Sequence, residues 1–165
     1  MGMFGINSFE RKATLYDDSG KFNSSTLPQV GLGIARLLSL PISDESNPRA
    51  SLQHYSNRFV YISSFSTSQQ QLFAAAQKAT STSEADWTVQ HSTIEDWIKQ
   101  GREGMAKGDM RAGAGLTYAM YMGQGKGGDY EAKAKEDREV LGLKEESVDE
   151  VVARAFAAGQ KPKVF

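Results

Sequence analysis

Phe59-Val60-Tyr61-Ile62-Ser63-Ser64-Phe65 opens with a continuous β-branched and aromatic run, the pattern of a strand buried on both faces of a mostly parallel sheet. Ser66 to Ser68 supply hydroxyls that cap a following helix, whose apolar face is marked by Leu72, Phe73, Ala76 and Ala79. Trp87-Thr88-Val89 reads as another strand. Strand, helix, strand is the repeating unit of an α/β fold.

Toward the N-terminus, Ser25 or Thr26 caps a helix with Pro28 in its first turn, and Leu27, Val30, Ile34, Leu37 and Leu38 recur at helical spacing until Pro41 stops it. The intervening residues 43–57 are polar, carry Pro48 and show no period, which predicts a surface loop and the least ordered part of the chain. Ahead of the helix, Ala13-Thr14-Leu15-Tyr16 and a short run around Phe22 flank Asp17-Asp18-Ser19-Gly20, which predicts a hairpin. The opening Met1-Gly2-Met3-Phe4-Gly5-Ile6 is apolar and reads like a segment cut out of an interior.

Toward the C-terminus, Ser92-Thr93-Ile94-Glu95 matches a capping box, with Ile94, Trp97, Ile98 and Met105 as the buried stripe of the helix that follows. Asp109 caps a further segment to Met122, rich in Met, Tyr and Ala and interrupted by Gly113 and Gly115. Gly123-Gln124-Gly125-Lys126-Gly127-Gly128 is too glycine-rich for a regular element and predicts a flexible loop. The charged residues from Glu131 to Glu139 read as a solvated helix face. Ser147 with Glu150 boxes a last helix bearing Val148, Val151, Val152, Ala155 and Phe156.

Composition narrows the function classes. With 165 residues, 39% of them hydrophobic, 24% charged and a net charge of −1, the chain suits one globular domain with a sizeable core. Basic residues are scattered, so no stripe exists to displace counterions from a phosphate backbone, and nucleic acid is not expected as a partner. Cysteine is absent, which removes disulfides, thiolate metal sites and a cysteine nucleophile and makes the reducing cytoplasm the expected compartment. The longest apolar runs, near residues 34–40 and 151–158, are too short to span a bilayer, and no signal peptide is legible.

Motif chemistry is sparse. Gly31-Leu32-Gly33 lacks a preceding strand and has Arg36 where the dinucleotide fingerprint needs its third glycine; it reads as small residues that let a helix approach its neighbour. Gly125-Lys126 fails as a phosphate loop, because Gly127 stands where Ser or Thr is required and Met120 where a glycine is. His54 and His91 have no companions at ligand spacing, so no metal site is expected. His91 is either a general base or, as lone histidines at strand ends usually are, a structural hydrogen-bonding group. The adjacent acids Glu95-Asp96 and Glu136-Asp137 diverge by about 100° around a helix and read as solvated charge. Tyr118, Tyr121 and Met122, before the glycine loop, suit a pocket for a flat organic molecule and equally suit a core.

Taken in order, Gly2 to Asn7, Ala13 to Asp17, Thr26 to Leu38, Phe59 to Phe65, Trp87 to Val89 and Leu141-Gly142-Leu143 resemble the second half of the NmrA-like family, which includes the isoflavone reductases and phenylcoumaran benzylic ether reductases. The resemblance implies the C-terminal part of a Rossmann-like NAD(P)-binding α/β fold with its helical substrate-binding subdomain. Residues 1–165 would form a single C-terminal region, with the N-terminal dinucleotide-binding half absent and the chain a partial gene product or excerpted domain. It further implies NADP as cofactor, held outside this chain, and no catalytic or cofactor-binding residue within it. Met3, Phe4 and Gly5 would lie beside the substrate pocket, with Tyr118, Tyr121 and Met122 closing its other side.

The leading function is then the substrate-binding half of an NAD(P)H-dependent reductase acting on a small aromatic compound, inactive as this fragment. The alternatives are a non-catalytic NAD(P)-sensing regulator of the NmrA type, which contacts a protein partner, or a small stand-alone binding module.

Overall fold

A computed structural model describes residues 3–159; Met1, Gly2 and the Met3 side chain, part of the apolar opening segment, lie outside the described residues. A 3₁₀ turn at Met3–Gly5 leads into β1 (Ile6–Asn7), β2 (Lys12–Tyr16), β3 (Phe22–Ser24) and α1 (Leu27–Leu38). Next come α2 (Leu52–Tyr55), β4 (Phe65–Thr67), α3 (Gln69–Ala79), β5 (Thr88–Ser92) and α4 (Ile94–Ala106). α5 (Met110–Met122), α6 (Glu131–Leu141) and α7 (Val148–Ala157) complete the chain. The architecture is mixed α/β with seven α-helices and two small sheets among the described residues.

The described chain divides into two compact units: residues 3–22, 67–129 and 148–159 form the first, and residues 23–66 and 130–147 the second. In the first unit the sheet runs β1-β2-β5, with β1 antiparallel and β5 parallel to β2. Period-two alternation sends Ala13 and Leu15 to one face, where they meet Phe73, Ala76 and Trp87, with Ile6, Val89 and Phe156 packed alongside. Tyr16 points the other way into a second cluster with Phe22, Ile94, Trp97, Ala119 and Met122. The Tyr16 and Trp97 rings stack 4.4 Å apart at an interplanar angle of 2°.

The hairpin expected between β2 and the Phe22 run does not form. β2 takes β1 and β5 as partners, and β3 pairs with β4. Asp17 and Asp18 still turn the backbone, with the Ser19 N–H donating to the Tyr16 carbonyl at 3.0 Å, but their side chains serve other elements: Asp17 bonds His91, and Asp18 Oδ1 accepts from the Ile94 N–H at 2.6 Å, capping α4.

α4 and α5 pack closely because both present glycine. A Cβ on Gly104 would fall 2.4 Å from the Ala112 Cβ, and one on Gly101 would fall 3.0 Å from the Leu116 Cβ. Gly113 and Gly115, which interrupt the sequence pattern of α5, face α4 in the same way, with a Cβ falling 3.3 Å from Met105 Sδ and 3.0 Å from Trp97 Nε1, and Gly108, at φ +83°, makes the turn between the helices. The α4 cap sits on Thr93, whose hydroxyl accepts from the Asp96 N–H, one residue later than the expected box. Met105 is 45% exposed rather than part of the buried stripe.

The second unit overturns three expectations. The Phe59–Phe65 stretch is not a strand through most of its length: β4 begins at Phe65, residues 59–63 belong to no regular element, and Phe59 is 84% exposed. Residues 43–57 are not a featureless loop, since α2 forms there, capped by Ser51, and Tyr55 is buried with its hydroxyl donating to Asp137 at 3.0 Å. The Glu131–Glu139 stretch is not simply solvated: Asp137 and Arg138 are buried, and Arg138 pairs with Glu131 through both guanidinium nitrogens. Asp137 also accepts from the Tyr61 N–H at 2.7 Å. A helix whose acids and bases point inward has the same composition as one whose charges are solvated, so only the tertiary partners distinguish them.

Candidate functional site

The site begins at an elbow. Phe4 has φ 56° and ψ 24°, a left-handed conformation that costs a bulky side chain of order 1 kcal/mol or more and persists only when its surroundings enforce it. Gln69 does so. It is the first residue of α3, completely buried, behind a capping box in which Ser68 and Gln71 satisfy each other's backbone. Its Nε2 donates to the Phe4 carbonyl at 2.7 Å and the Thr14 carbonyl at 2.8 Å, while its Oε1 accepts from the Tyr16 N–H at 2.8 Å. Gly5 follows at φ +78°, and a Cβ there would sit 2.5 Å from the Thr14 oxygen.

The elbow aims the Phe4 ring at two aromatic partners. It stacks on Phe22 with centroids 5.2 Å apart and meets Tyr118 edge-on at 5.4 Å; Phe22 in turn lies 5.8 Å from Tyr121. Phe4, Tyr118 and Tyr121 are half-buried, whereas Phe22 and Met122 are fully buried behind them. The structure thus brings together Phe4 with the 118–122 cluster, two stretches more than a hundred residues apart. Gly5 lies beneath them and also lines a shallow, open depression of about 340 Å³ on the sheet, with Asn7, Lys12, Thr14, Thr88 and Gln90 among its walls.

The sequence reading missed that depression. Its signal was the alternation Lys12-x-Thr14 and Thr88-x-Gln90, which, in the observed parallel register, places four polar side chains on one sheet face. Lys12 pairs there with Glu10 at 3.0 Å, and that contact holds the Glu10 carboxyl below its ordinary range.

His91 lies at the C-terminal end of β5, its Nδ1 2.8 Å from Asp17 Oδ1, with both side chains more than half exposed. That geometry ties the ends of two parallel strands together, the position where open α/β sheets commonly place ligands. His54 packs edge-on against Tyr55 at 5.0 Å. No group of three potential metal ligands occurs among the described residues, and no described helix is long and apolar enough to cross a membrane.

Gly31 and Gly33 lie inside α1, where a Cβ on Gly33 would fall 2.6 Å from the Ile62 Cδ1, so that glycine serves packing. The ends of the parallel strands β2 and β5 offer Asp17 and Asp18, whose charge opposes phosphate.

No family model matches this chain, and no solved structure does. It is similar to a Penicillium oxalicum protein named oxidoreductase poxI, at 30% identity over 162 residues that cover 93% of this chain and 46% of the relative. It is also similar to an Aspergillus flavus protein named oxidoreductase aprR, at 27% identity over 150 residues covering 90% of this chain and 46% of that one. The chain spans about half the length of the curated relatives it matches.

Proposed function

We propose that this chain is the substrate-binding part of an NAD(P)H-dependent reductase of the NmrA/isoflavone-reductase-like class, acting on a small aromatic compound and inactive by itself. The observation that carries the reading is the likeness to two fungal oxidoreductases across at least nine-tenths of the chain but only 46% of each relative. The half-buried rings of Phe4, Tyr118 and Tyr121 support the substrate class, because edge and face contacts from three aromatics hold a planar ring by shape and quadrupole. Met122, fully buried, backs that wall rather than touching the ligand. Met3 is assigned to the same pocket by position along the chain.

In this reading the nicotinamide nucleotide is held by polypeptide outside the matched region. This chain's own contribution is to bind and orient the acceptor and to keep water from it. Its partners are the small-molecule substrate and the nucleotide-holding polypeptide.

Two assays test the proposal. NADPH titrated into the purified chain should give no saturable fluorescence change. A chimera in which this chain replaces the matched segment of the Penicillium oxalicum relative should oxidise NADPH with a member of a panel of aromatic ketones, enones and benzylic ethers, and Phe4→Ala should raise KM about tenfold, the effect of losing roughly 1.4 kcal/mol of ring contact. Micromolar NADPH binding to the isolated chain, or a folded chimera inert to the whole panel, would overturn it.

A further inference from the structure

The chain holds two tryptophans, and both are more than nine-tenths buried, Trp87 at 7% and Trp97 at 8% exposure. Their indole N–H groups fare differently. Trp87 Nε1 donates to the Thr82 hydroxyl at 2.8 Å, as a buried indole should, since its nitrogen is a donor only and is costly to leave unpaired. Trp97 Nε1 has no hydrogen-bond partner among the described residues. It is not sealed in either, because Ser19 Oγ alone is both fully buried and without a partner among the described side chains.

The unpaired N–H opens beside the aromatic wall of the candidate site. Gly115 of α5 lies against that edge of the indole, and a Cβ there would fall 3.0 Å from Nε1, covering the donor with a carbon that cannot accept. Tyr118 follows one turn later on the same helix face, about 5–6 Å along. Helical side chains lean toward the N-terminal turn, which carries Tyr118 back toward Gly115. Its ring meets Phe4 edge-on at 5.4 Å, and its hydroxyl also has no partner among the described residues. From the other direction, Trp97 stacks on Tyr16, whose Cε2 lies 3.2 Å from where a Gly5 Cβ would stand. Phe4, Gly5, Tyr16, Trp97, Gly115 and Tyr118 thus form a chain of contacts that returns to its start.

We propose that Trp97 is a specificity residue that touches the substrate, its indole N–H donating to a carbonyl oxygen on the planar aromatic compound held by Phe4 and Tyr118. This deepens the substrate reading given above and rests on it. The ligand group must be an acceptor, because the indole nitrogen only donates. It must be neutral, because this wall carries no cationic side chain to balance a carboxylate taken out of water. A ring without such an oxygen leaves the N–H bare, so the site selects by hydrogen bonding as well as by shape.

The test is proton–nitrogen correlation NMR of the whole chain, in which the two tryptophans give two indole signals and the satisfied Trp87 serves as internal reference. The probes are 1-indanone and indane, which share a ring system and differ in the carbonyl. Titration with 1-indanone should move the Trp97 signal downfield and leave Trp87 in place, whereas indane should bind more weakly and move neither indole proton downfield. Trp97→Phe, which keeps the stack on Tyr16, should weaken 1-indanone about tenfold, the effect of one neutral hydrogen bond, and leave indane unchanged. Gly115→Ala, which keeps the indole and covers its N–H, should act in the same direction and serves if Trp97→Phe does not fold. Equal affinity for the two probes, or 1-indanone binding that leaves the Trp97 signal in place, overturns the assignment and leaves the aromatic wall standing. If neither probe binds up to its solubility limit, the aromatic reading of the wall falls as well. Where the nucleotide is held is decided separately, by the NADPH titration.

Discussion

Gln69 Nε2 donates to the carbonyl of Phe4 across 65 residues of sequence, and this contact holds a bulky aromatic residue in left-handed backbone. The same amide serves Thr14 and Tyr16, so one buried side chain joins the elbow, β2 and the start of α3. Gln69→Leu keeps the volume and removes every partner. Burying an unsatisfied N–H and two carbonyls costs about 1–3 kcal/mol each, partly relieved by water, so the unfolding free energy in urea should fall by about 2–5 kcal/mol. A loss under ~1 kcal/mol would show that the elbow is set by something else.

Gly5→Ala probes the same elbow from the backbone side. The substituted residue must keep φ +78° while its methyl meets the Thr14 oxygen at 2.5 Å and Gln69 Nε2 at 2.8 Å. Left-handed strain alone costs about 1–2 kcal/mol, and the clash adds to it. The melting midpoint should drop by several degrees, whereas Gly125→Ala, also at positive φ but in open space, should cost only the strain.

Acid stability should depend on Glu131. Its carboxyl is held below the ordinary value of 4.5, first by the hydrogen bond from Arg138 and then by that from Asn23. A carboxylate depressed in the folded state stabilises above the unfolded pKa, and that stabilisation is lost as pH falls through the folded one. The stability gap between the native chain and Glu131→Gln should therefore be widest above pH 4.5 and narrow below it. A gap independent of pH would remove the ion pair from the explanation.

Alkaline stability should depend on Tyr16, whose burial against Trp97 pushes its phenol up to about 12. Here the sign reverses: the unfolded chain ionises first, near pH 10, so the stabilisation present below that value is lost as pH climbs toward the folded pKa. Tyr16→Phe should flatten this part of the urea-midpoint profile between pH 10 and 12. Some slope should remain, because Tyr55 is also raised by burial and by the Asp137 carboxylate beside it.

Legibility in the sequence followed the range of the forces involved. The helices at Leu27–Leu38, Gln69–Ala79 and Met110–Met122 were readable because caps at Thr26, Ser68 and Asp109 are local chemistry. The β2–β5 pairing was not, since a parallel partner is chosen by tertiary packing and Asp17-Asp18-Ser19-Gly20 imitates a hairpin turn. Asp137 and Arg138 were misread because charge says nothing about the direction a side chain faces until Tyr55, Tyr61 and Glu131 are placed. At the candidate site, Phe4 and the Tyr118–Met122 stretch were named, but their meeting depends on Gln69, an amide with no motif around it.

The parallel pairing of β2 with β5 also governs how the chain reaches its native state. Asp17 and His91, at the end of that ladder, are 74 residues apart, and the whole second unit except residues 130–147 lies within the intervening loop. A ladder that closes over such a distance gives the domain a high contact order, placing its folding in the slower millisecond-to-second regime. The capped helices have time to form before the strands meet. During that interval β2 carries bare main-chain groups, so nascent molecules are most exposed to mispairing with one another at this strand.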